Sequence, residues 1–352
     1  MSFPPHPVFP GVRWKQSEAT NVVLLKYGKE IVVLTYAIRR VLLIFPNLVL
    51  LTIIVFLSVR FIPGDVVDMM VAEINVEGVM TYEEARDMLR GQLGLDTPIH
   101  VQYWKWVTGA VQGDLGTSMR SGQPITDEFF SKVPISIELG IVSMVTGLVL
   151  ALPIGLFSAI RQDSPGDYAA RTLAIMMMSV PGFWIMTMVI VFPAIWWDWM
   201  PPLEYIPFTK DPAGNLIQFV IPGVIMGAAF SGGLMRFVRT MMLEVLRQDY
   251  IRTAWSKGLS ERVVVTRHAL RNTLIPMVTI VGMGLPGLIG GSVITEQIFN
   301  LPGVGRWLFE AVTQRDYPII CGMNLMMATL VLFCNLAVDL TYAWLDPRVQ
   351  YR

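Results

Sequence analysis

The sequence predicts an all-α membrane protein with six transmembrane helices and both termini on the cytoplasmic side. Three observations carry that prediction. Of the 352 residues, 53% are hydrophobic and 15% charged, and the mean hydropathy is +0.54; a soluble domain carries about 25% charged residues. The apolar residues gather into runs long enough, at about 1.5 Å per residue, to cross a hydrocarbon core about 30 Å thick. The 27 lysines and arginines are unevenly shared among the segments between those runs.

The runs are 41–59, 135–160, 172–196, 216–234, 273–294 and 319–345. Residues 1–35 precede them as a polar, proline-containing cytoplasmic segment, with no short apolar run and small-residue cleavage site of a secretory leader. With the N-terminus inside, the cytoplasmic segments hold 18 of the 27 basic residues and the outer segments 9. Eight of the 18 lie in 236–272 alone, and a basic surplus in a short loop marks the cytoplasmic face.

Several chemistries find no support. Net charge is zero, so bulk charge suggests no nucleic-acid partner. Cys321 and Cys334 lie thirteen residues apart without a CxxC spacing, and His6, His100 and His268 are scattered, so no metal centre is expected. The sequence contains no GxxxxGK[ST] loop to cradle phosphates, no HExxH and no GxSxG elbow. This chain is therefore not expected to be an enzyme or to bind ATP by itself.

Two connections are long. Segment 60–134 carries Asp65, Asp68, Glu73, Glu77, Glu83, Glu84, Asp87 and Asp96 among helix-like (81–91) and turn-like (113–117) stretches, enough for a small folded external cap. Segment 236–272 repeats Leu243, Leu246, Tyr250 and Ala254 at helical spacing and is expected to fold as short amphipathic helices.

The most specific signal is Asp249-Tyr-Ile-Arg-Thr-Ala-Trp-Ser-Lys-Gly-Leu-Ser-Glu261, continuing through Arg267-His-Ala-Leu-Arg-Asn272 to Leu274-Ile-Pro276. It resembles the cytoplasmic loop of ABC importer permeases. The family's Glu-Ala-Ala opening is Arg252-Thr253-Ala254 here, and the interval from Gly258 to Pro276 is longer than in sugar importers. Both departures look like the dipeptide/oligopeptide/nickel branch. The landmarks Phe61-Ile-Pro-Gly-Asp65, Leu93-Gly-Leu-Asp-Thr-Pro98, Gly113-Asp-Leu-Gly-Thr-Ser118, Val180-Pro-Gly182, Phe299-Asn-Leu-Pro-Gly-Val-Gly305, Arg315-Asp-Tyr-Pro318 and Leu345-Asp-Pro-Arg348 extend the likeness over residues 36–352 in the expected order.

The resemblance implies a type I ABC importer permease fold in a prokaryotic plasma or inner membrane. The chain would supply half of a translocation path for peptides or a related solute, with nickel or oligosaccharide as alternatives. It implies a second homologous permease subunit, two ATPase subunits that bind ATP and Mg, and an extracytoplasmic solute-binding protein. It also makes Ala254, Trp255, Ser256, Lys257, Gly258, Leu259 and Ser260 the ATPase-coupling element. Gly258 would set a turn, and a helix over 254–260 would bring Trp255 and Leu259 to one face.

Within the spans, Glu138 and Asp339 are the charges to explain, since an ionisable group near mid-membrane costs about 2.5–3.5 kcal/mol or more. Each either pairs structurally or snorkels, or else lines a polar substrate path. The glycines 282, 284, 287, 290 and 291 suit the fifth span to close helix approach or to a sliding gate. Readings from other classes are weaker. An intramembrane enzyme lacks a nucleophile or paired carboxylates, and a lone ion-driven transporter would show matching broken spans in two halves, which are not evident.

Overall fold

In the computed structural model, residues 38–59, 66–73, 81–92, 94–202, 204–290 and 292–345 are described. The segment 1–35 and the landmarks at 61–65 and 346–348 lie outside them. Fourteen helices follow in chain order among the described residues, with only an isolated bridge between Thr117 and Pro124 as extended pairing. Four helices are long and apolar enough to cross a bilayer alone: α1 (Ile38–Val59), α5 (Ile125–Ile160), α8 (Pro212–Leu246) and α14 (Tyr317–Leu345). Two bent pairs bring the number to as many as six.

One bent pair covers the span expected over 172–196. The chain forms α6 (Pro165–Ser179) and α7 (Gly182–Trp197), which meet at 85°. The break lies at Val180-Pro181, where Val180 is extended at φ −82 and ψ 125. Proline disfavours the helical region for the residue before it and donates no N–H, so the helix stops there and a new one starts. The other pair spans 261–290. There α10 (Glu261–Val263), a π-helical turn (Val264–Ala269) and α11 (Leu270–Gly290) bend by 47° between Leu274 and Pro276.

The centre of the fold is the long contact between α5 and α8. On α5 the buried positions include Ser136, Gly140, Ser143, Gly147, Ala151, Gly155 and Ala159, a ladder of small residues at steps of three and four. Gly223, Gly227 and Ser231 answer it from α8. Backbones packed this closely gain dispersion contacts that larger side chains would prevent, which is how helices associate where lipid is as apolar as leucine. At Gly227 a Cβ would overlap the Ser143 carbonyl oxygen. The fifth span is also closely approached through glycine, by Val338 of α14 at Gly282 and by Phe230 of α8 at Gly284, whereas Gly287 and Gly290 face open space.

At the α5 N-terminus sits a cap built from α2 (Val66–Glu73), α3 (Tyr82–Gln92) and α4 (Ile99–Val111). Val67, Val71 and Ala85 bury a small core against Leu95, Met119 and Tyr317. A reciprocal pair opens α3: Thr81 N–H donates to Glu84 Oε2 at 2.8 Å and Glu84 N–H to Thr81 Oγ1 at 3.4 Å. The segment 60–134 therefore contains folded structure, as its length suggested. At the other end of α5 lies α9 (Asp249–Ser256), about 54 Å away along a 36-residue helix.

This packing predicts the response to added bulk. Gly227→Val should lower the thermal unfolding midpoint of the purified chain by an amount equivalent to about 1–3 kcal/mol, the cost of overpacking. Gly233→Ala, where nothing lies within 4 Å, should leave the midpoint unchanged. Equal midpoints for both variants would remove the seam from the account.

Candidate coupling site

α8 ends at Leu246, and Gln248 turns the chain into the eight-residue α9. Its inward face is Ile251 and Ala254, which pack with Ala159 from α5, Met242 from α8 and Val264, Val265 and Ala269 from the π-helical turn. Asn272 Nδ2 also donates to Tyr250 Oη at 2.7 Å, tying α9 to α11. Tyr250 is otherwise exposed, so the inward stripe runs through Ile251 and not through Tyr250 as helical spacing from Leu246 predicts. The helix between them is interrupted at 247–248, which resets the register.

The end of α9 is fully specified. Gly258 has φ +75, Gly258 N–H donates to the Trp255 carbonyl at 2.9 Å, and Leu259 N–H donates to the Ala254 carbonyl at 3.4 Å. This is a Schellman ending, with glycine in the left-handed position and an apolar residue after it packing back on the helix. Leu259 accordingly packs against the Ile251 and Ala254 cluster. The expected helix over 254–260 is thus two elements, and Trp255 and Leu259 do not share a face. Of the seven predicted coupling residues, Ala254 and Leu259 turn inward, whereas Trp255, Ser256, Lys257, Gly258 and Ser260 are exposed. Trp255 is 44% exposed, a large apolar side chain presented outward beside a rigid turn.

Near the same ends of α5 and α8 lies a polar knot that hydropathy does not reveal. Asp167, near the start of α6, is fully buried. It accepts hydrogen bonds from Arg239 Nε and Nη2, both at 2.9 Å, from Asp163 N–H at 2.9 Å and from Ser158 Oγ. Ser164 caps α6 by accepting from Asp167 N–H at 3.2 Å. A buried carboxylate is tolerable only when its partners replace water, and the bidentate guanidinium does so with fixed geometry. Ser158 and Arg239 are one to three residues from Ala159 and Met242, on which α9 rests. The knot and the platform of α9 are therefore continuous.

Two similar knots hold the opposite end. Glu296 in α12 (Val293–Ile298) is fully buried and accepts from Ser136 Oγ and Ser292 Oγ, each at 2.6 Å, and from Arg306 N–H at 2.8 Å. Gly303 lies so close to the carboxylate that a Cβ would overlap it, which accounts for glycine in the 299–305 landmark. Asp316 accepts from Ser118 Oγ at 2.6 Å, joining the 113–118 and 315–318 landmarks across 198 positions of sequence. It stands just before α14, so the pair also anchors the start of that helix.

The two intramembrane charges lie apart. Asp339 Oδ2 is 3.2 Å from Arg40 Nη1, joining α14 to α1. Glu138 on α5 faces the Asn215 side chain of α8, with Tyr205 nearby. Neither touches the coupling residues. Asp316 appears in the sequence only as part of the Arg315-Asp-Tyr-Pro318 turn landmark, and Asp167 and Glu296 carry no sequence signal, because they fall in or beside segments that hydropathy assigns to loops.

Residues 151–351 match the family described as binding-protein-dependent transport system inner membrane component, and residues 33–140 match the N-terminal region of the same membrane components. The chain belongs to this family. It is 35% identical over 342 residues to the dipeptide transport system permease protein DppB of Escherichia coli (strain K12), covering 91% of this chain and 99% of that protein. The oligopeptide transport system permease protein AppB of Bacillus subtilis (strain 168) is 36% identical over 319 residues, covering 90% and 99% respectively. The glutathione transport system permease protein GsiC of Salmonella paratyphi A is 34% identical, covering 91% and 100%. The fold is shared with a chain of the MetNI methionine ABC transporter in an inward-facing conformation, at TM-score 0.52 and 15% identity, covering 62% of this chain and 96% of that one.

This binding-protein-dependent permease is therefore a membrane-spanning transport subunit that works with an ATPase and a solute-binding protein. Its knots allow a direct test. Asp167→Ala should destabilise the permease by about 3 kcal/mol, because it leaves the largely enclosed Arg239 guanidinium without its bidentate partner. The double variant Asp167→Leu, Arg239→Met should recover much of the loss, measured as thermal midpoints in the same detergent. A double variant as unstable as the single one would mean that the pair contributes more than mutual neutralisation.

Proposed function

We propose that this permease forms one half of the path of a peptide importer, completed by a second homologous permease, and that α9 with the Gly258 turn is where two partner ATPases drive it. The observation that carries this reading is the form of α9. It is a short helix, locked to the ends of α5 and α8 on one side and presenting Trp255 on the other. A groove on an ATPase could receive that side chain, and a load placed there would pass into both long helices. ATP and Mg belong to the ATPases in this reading, and the permease hydrolyses nothing.

Peptides are the proposed cargo because DppB, AppB and GsiC are, by name, dipeptide, oligopeptide and glutathione permeases and match this chain over nine-tenths of its length. The cap of α2, α3 and α4 is assigned to the outer face, where the solute-binding protein delivers its load. The basic surplus in 236–272 supports this orientation, with both termini and α9 in the cytoplasm. Asp339, paired with Arg40, is given a structural role; Glu138, half-buried on α5, is kept as the path candidate.

Orientation has a simple test. In a variant with Cys321 and Cys334 replaced by serine, single cysteines at Ser121 and Lys210 should react with an impermeant maleimide in intact cells, and one at Ser260 only after permeabilisation. All three positions are exposed, whereas Asn215 in the same outer segment is buried and unsuited to labelling. Reaction of Ser260 in intact cells would invert the topology.

Coupling is tested by transport. Gly258→Val forces a β-branched residue into φ +75, which costs about 1–2 kcal/mol, and should misplace the turn. Trp255→Ala removes the outward side chain while leaving the inward cluster intact. Both variants should insert normally yet lose ATP-driven uptake in reconstituted vesicles, either by releasing the ATPases or by leaving hydrolysis unlinked. Lys257→Ala, at an exposed position, should transport at close to the parental rate. Leu259→Asp is a poorer probe, since it would place a charge against the inward cluster. Parental uptake by both Gly258→Val and Trp255→Ala would sink the coupling assignment.

A further inference from the structure

We infer that the cavity between the C-terminal end of α1, α4, the 113–119 loop and the start of α14 binds a short peptide by its charged ends and an apolar side chain. The choice of a peptide rests on the cargo reading above. The cavity measures about 330 Å³. Ligand sites run from about 300 to 1,000 Å³, whereas packed interiors leave few voids larger than one water. Its walls draw on three turn stretches that the coupling site does not use, which contribute Gly94 and Leu95, the run 114–117, and Tyr317 with Pro318. Specific bonds fix these walls. Ser118 Oγ donates to Asp316 Oδ2 at 2.6 Å, Gln102 Nε2 to the Thr97 carbonyl at 2.7 Å, and Gly116 N–H to Asp114 Oδ1 at 2.8 Å. The space is therefore preformed.

The interior of the cavity is apolar. Phe56 stacks on Trp106 with ring centroids 5.9 Å apart, and Leu115 and Pro318 complete a lining that suits an aliphatic or aromatic side chain. The rim carries both signs of charge. Lys105 and Asp114 line the cavity, both are exposed, and neither has an ion-pair partner among the described residues. Asp114 spends Oδ1 on Gly116 N–H, which leaves Oδ2 for a second donor. A lipid phosphate or a bare cation would meet a like charge at such a rim, and an acyl chain would use neither group. A short peptide with free termini and an apolar side chain matches the ammonium, the carboxylate and the lining together. The site would hold cargo at the cap before it enters the path.

The test uses the full chain in nanodiscs with the subunits that accompany it, but without the solute-binding protein, so that no peptide site on that protein contributes. Leucyl-leucine is titrated by calorimetry. In a Cys334→Ser background, the reaction of Cys321, in the cavity wall, with methyl methanethiosulfonate is timed with and without the dipeptide. The dipeptide should bind saturably and slow that reaction. Lys105→Gln and Asp114→Asn should each weaken binding about ten-fold, the size of one charge-assisted bond. Asparagine keeps the acceptor for Gly116 N–H and Lys105 is exposed, so both variants should keep the parental unfolding midpoint. Absence of binding, binding that ignores either substitution, or binding that leaves Cys321 as reactive as before overturns the inference. Protection of Cys321 by the solute-binding protein and not by the dipeptide also overturns it, and gives the cavity to an anchor on that protein. ATP-driven uptake of leucyl-leucine by the complete transporter is measured separately. Uptake by a permease that does not bind the dipeptide removes this site alone, whereas binding without uptake keeps the site and removes the cargo reading.

Discussion

The bidentate pair between Asp167 and Arg239 is the contact on which the α9 end of this permease depends. With Asp167 wholly buried, its charge has to be matched inside the protein, and only Arg239 presents two donors in the plane of the carboxylate. The match fixes α6 against α8, while Ser158 brings in the end of α5. Because α5 and α8 already share a seam of small residues, the three helices become one body at this end. Ile251 and Ala254 rest on that body, which ties α9 to the ends of α5 and α8. In the proposed coupling role, a push on Trp255 would be carried into the long helices instead of ending in a local bend.

The same constraint shapes the opposite end with different parts. Glu296 and Asp316 are each held by hydroxyl and backbone donors among the described residues. Hydroxyl cages are shorter-ranged and demand close backbone approach, which is why glycine is needed at 303. Between the two ends, the two sharp helix bends lie at prolines. Val180-Pro181 separates α6 from α7 at 85°, and Pro276 lies at the 47° bend of the fifth span. That bend directly follows the π-helical turn packed under α9, an arrangement of the kind that often accompanies hinges.

Hydropathy makes the spans legible because it requires only apolar content, not register. Their ends were less legible. The fourth apolar run ends at 234, yet α8 continues to Leu246, because Arg239 lies inside the fold with its partner and does not mark a boundary. The break at Val180-Pro181 had a signal in the proline, but a proline within an apolar run reads equally as a kink that neighbouring helices tolerate. Gly258 was legible through the motif that surrounds it, and its positive φ agrees. The position of Leu259 was not, since a single left-handed residue redirects the chain and removes the helical spacing on which the shared face relied. The landmarks at 113–118, 299–305 and 315–318 could be seen as turns. Their pairing through Ser118, Ser136, Glu296 and Asp316 could not, because each bond spans between about 160 and 200 positions of sequence and no local rule supplies it.

The central claim is that α9 and the ends of α5 and α8 move together. Spin labels at Lys257, beside the α9 turn, and at Thr240, exposed on α8, report on it directly by double electron–electron resonance in the assembled transporter. The account predicts one distance distribution, unchanged between the nucleotide-free and ATP-trapped states, while distances from Thr240 to its counterpart in the opposing permease change. A shift in the Lys257 to Thr240 distance on trapping ATP would contradict it, because α9 would then be a hinged arm and not part of the body it drives.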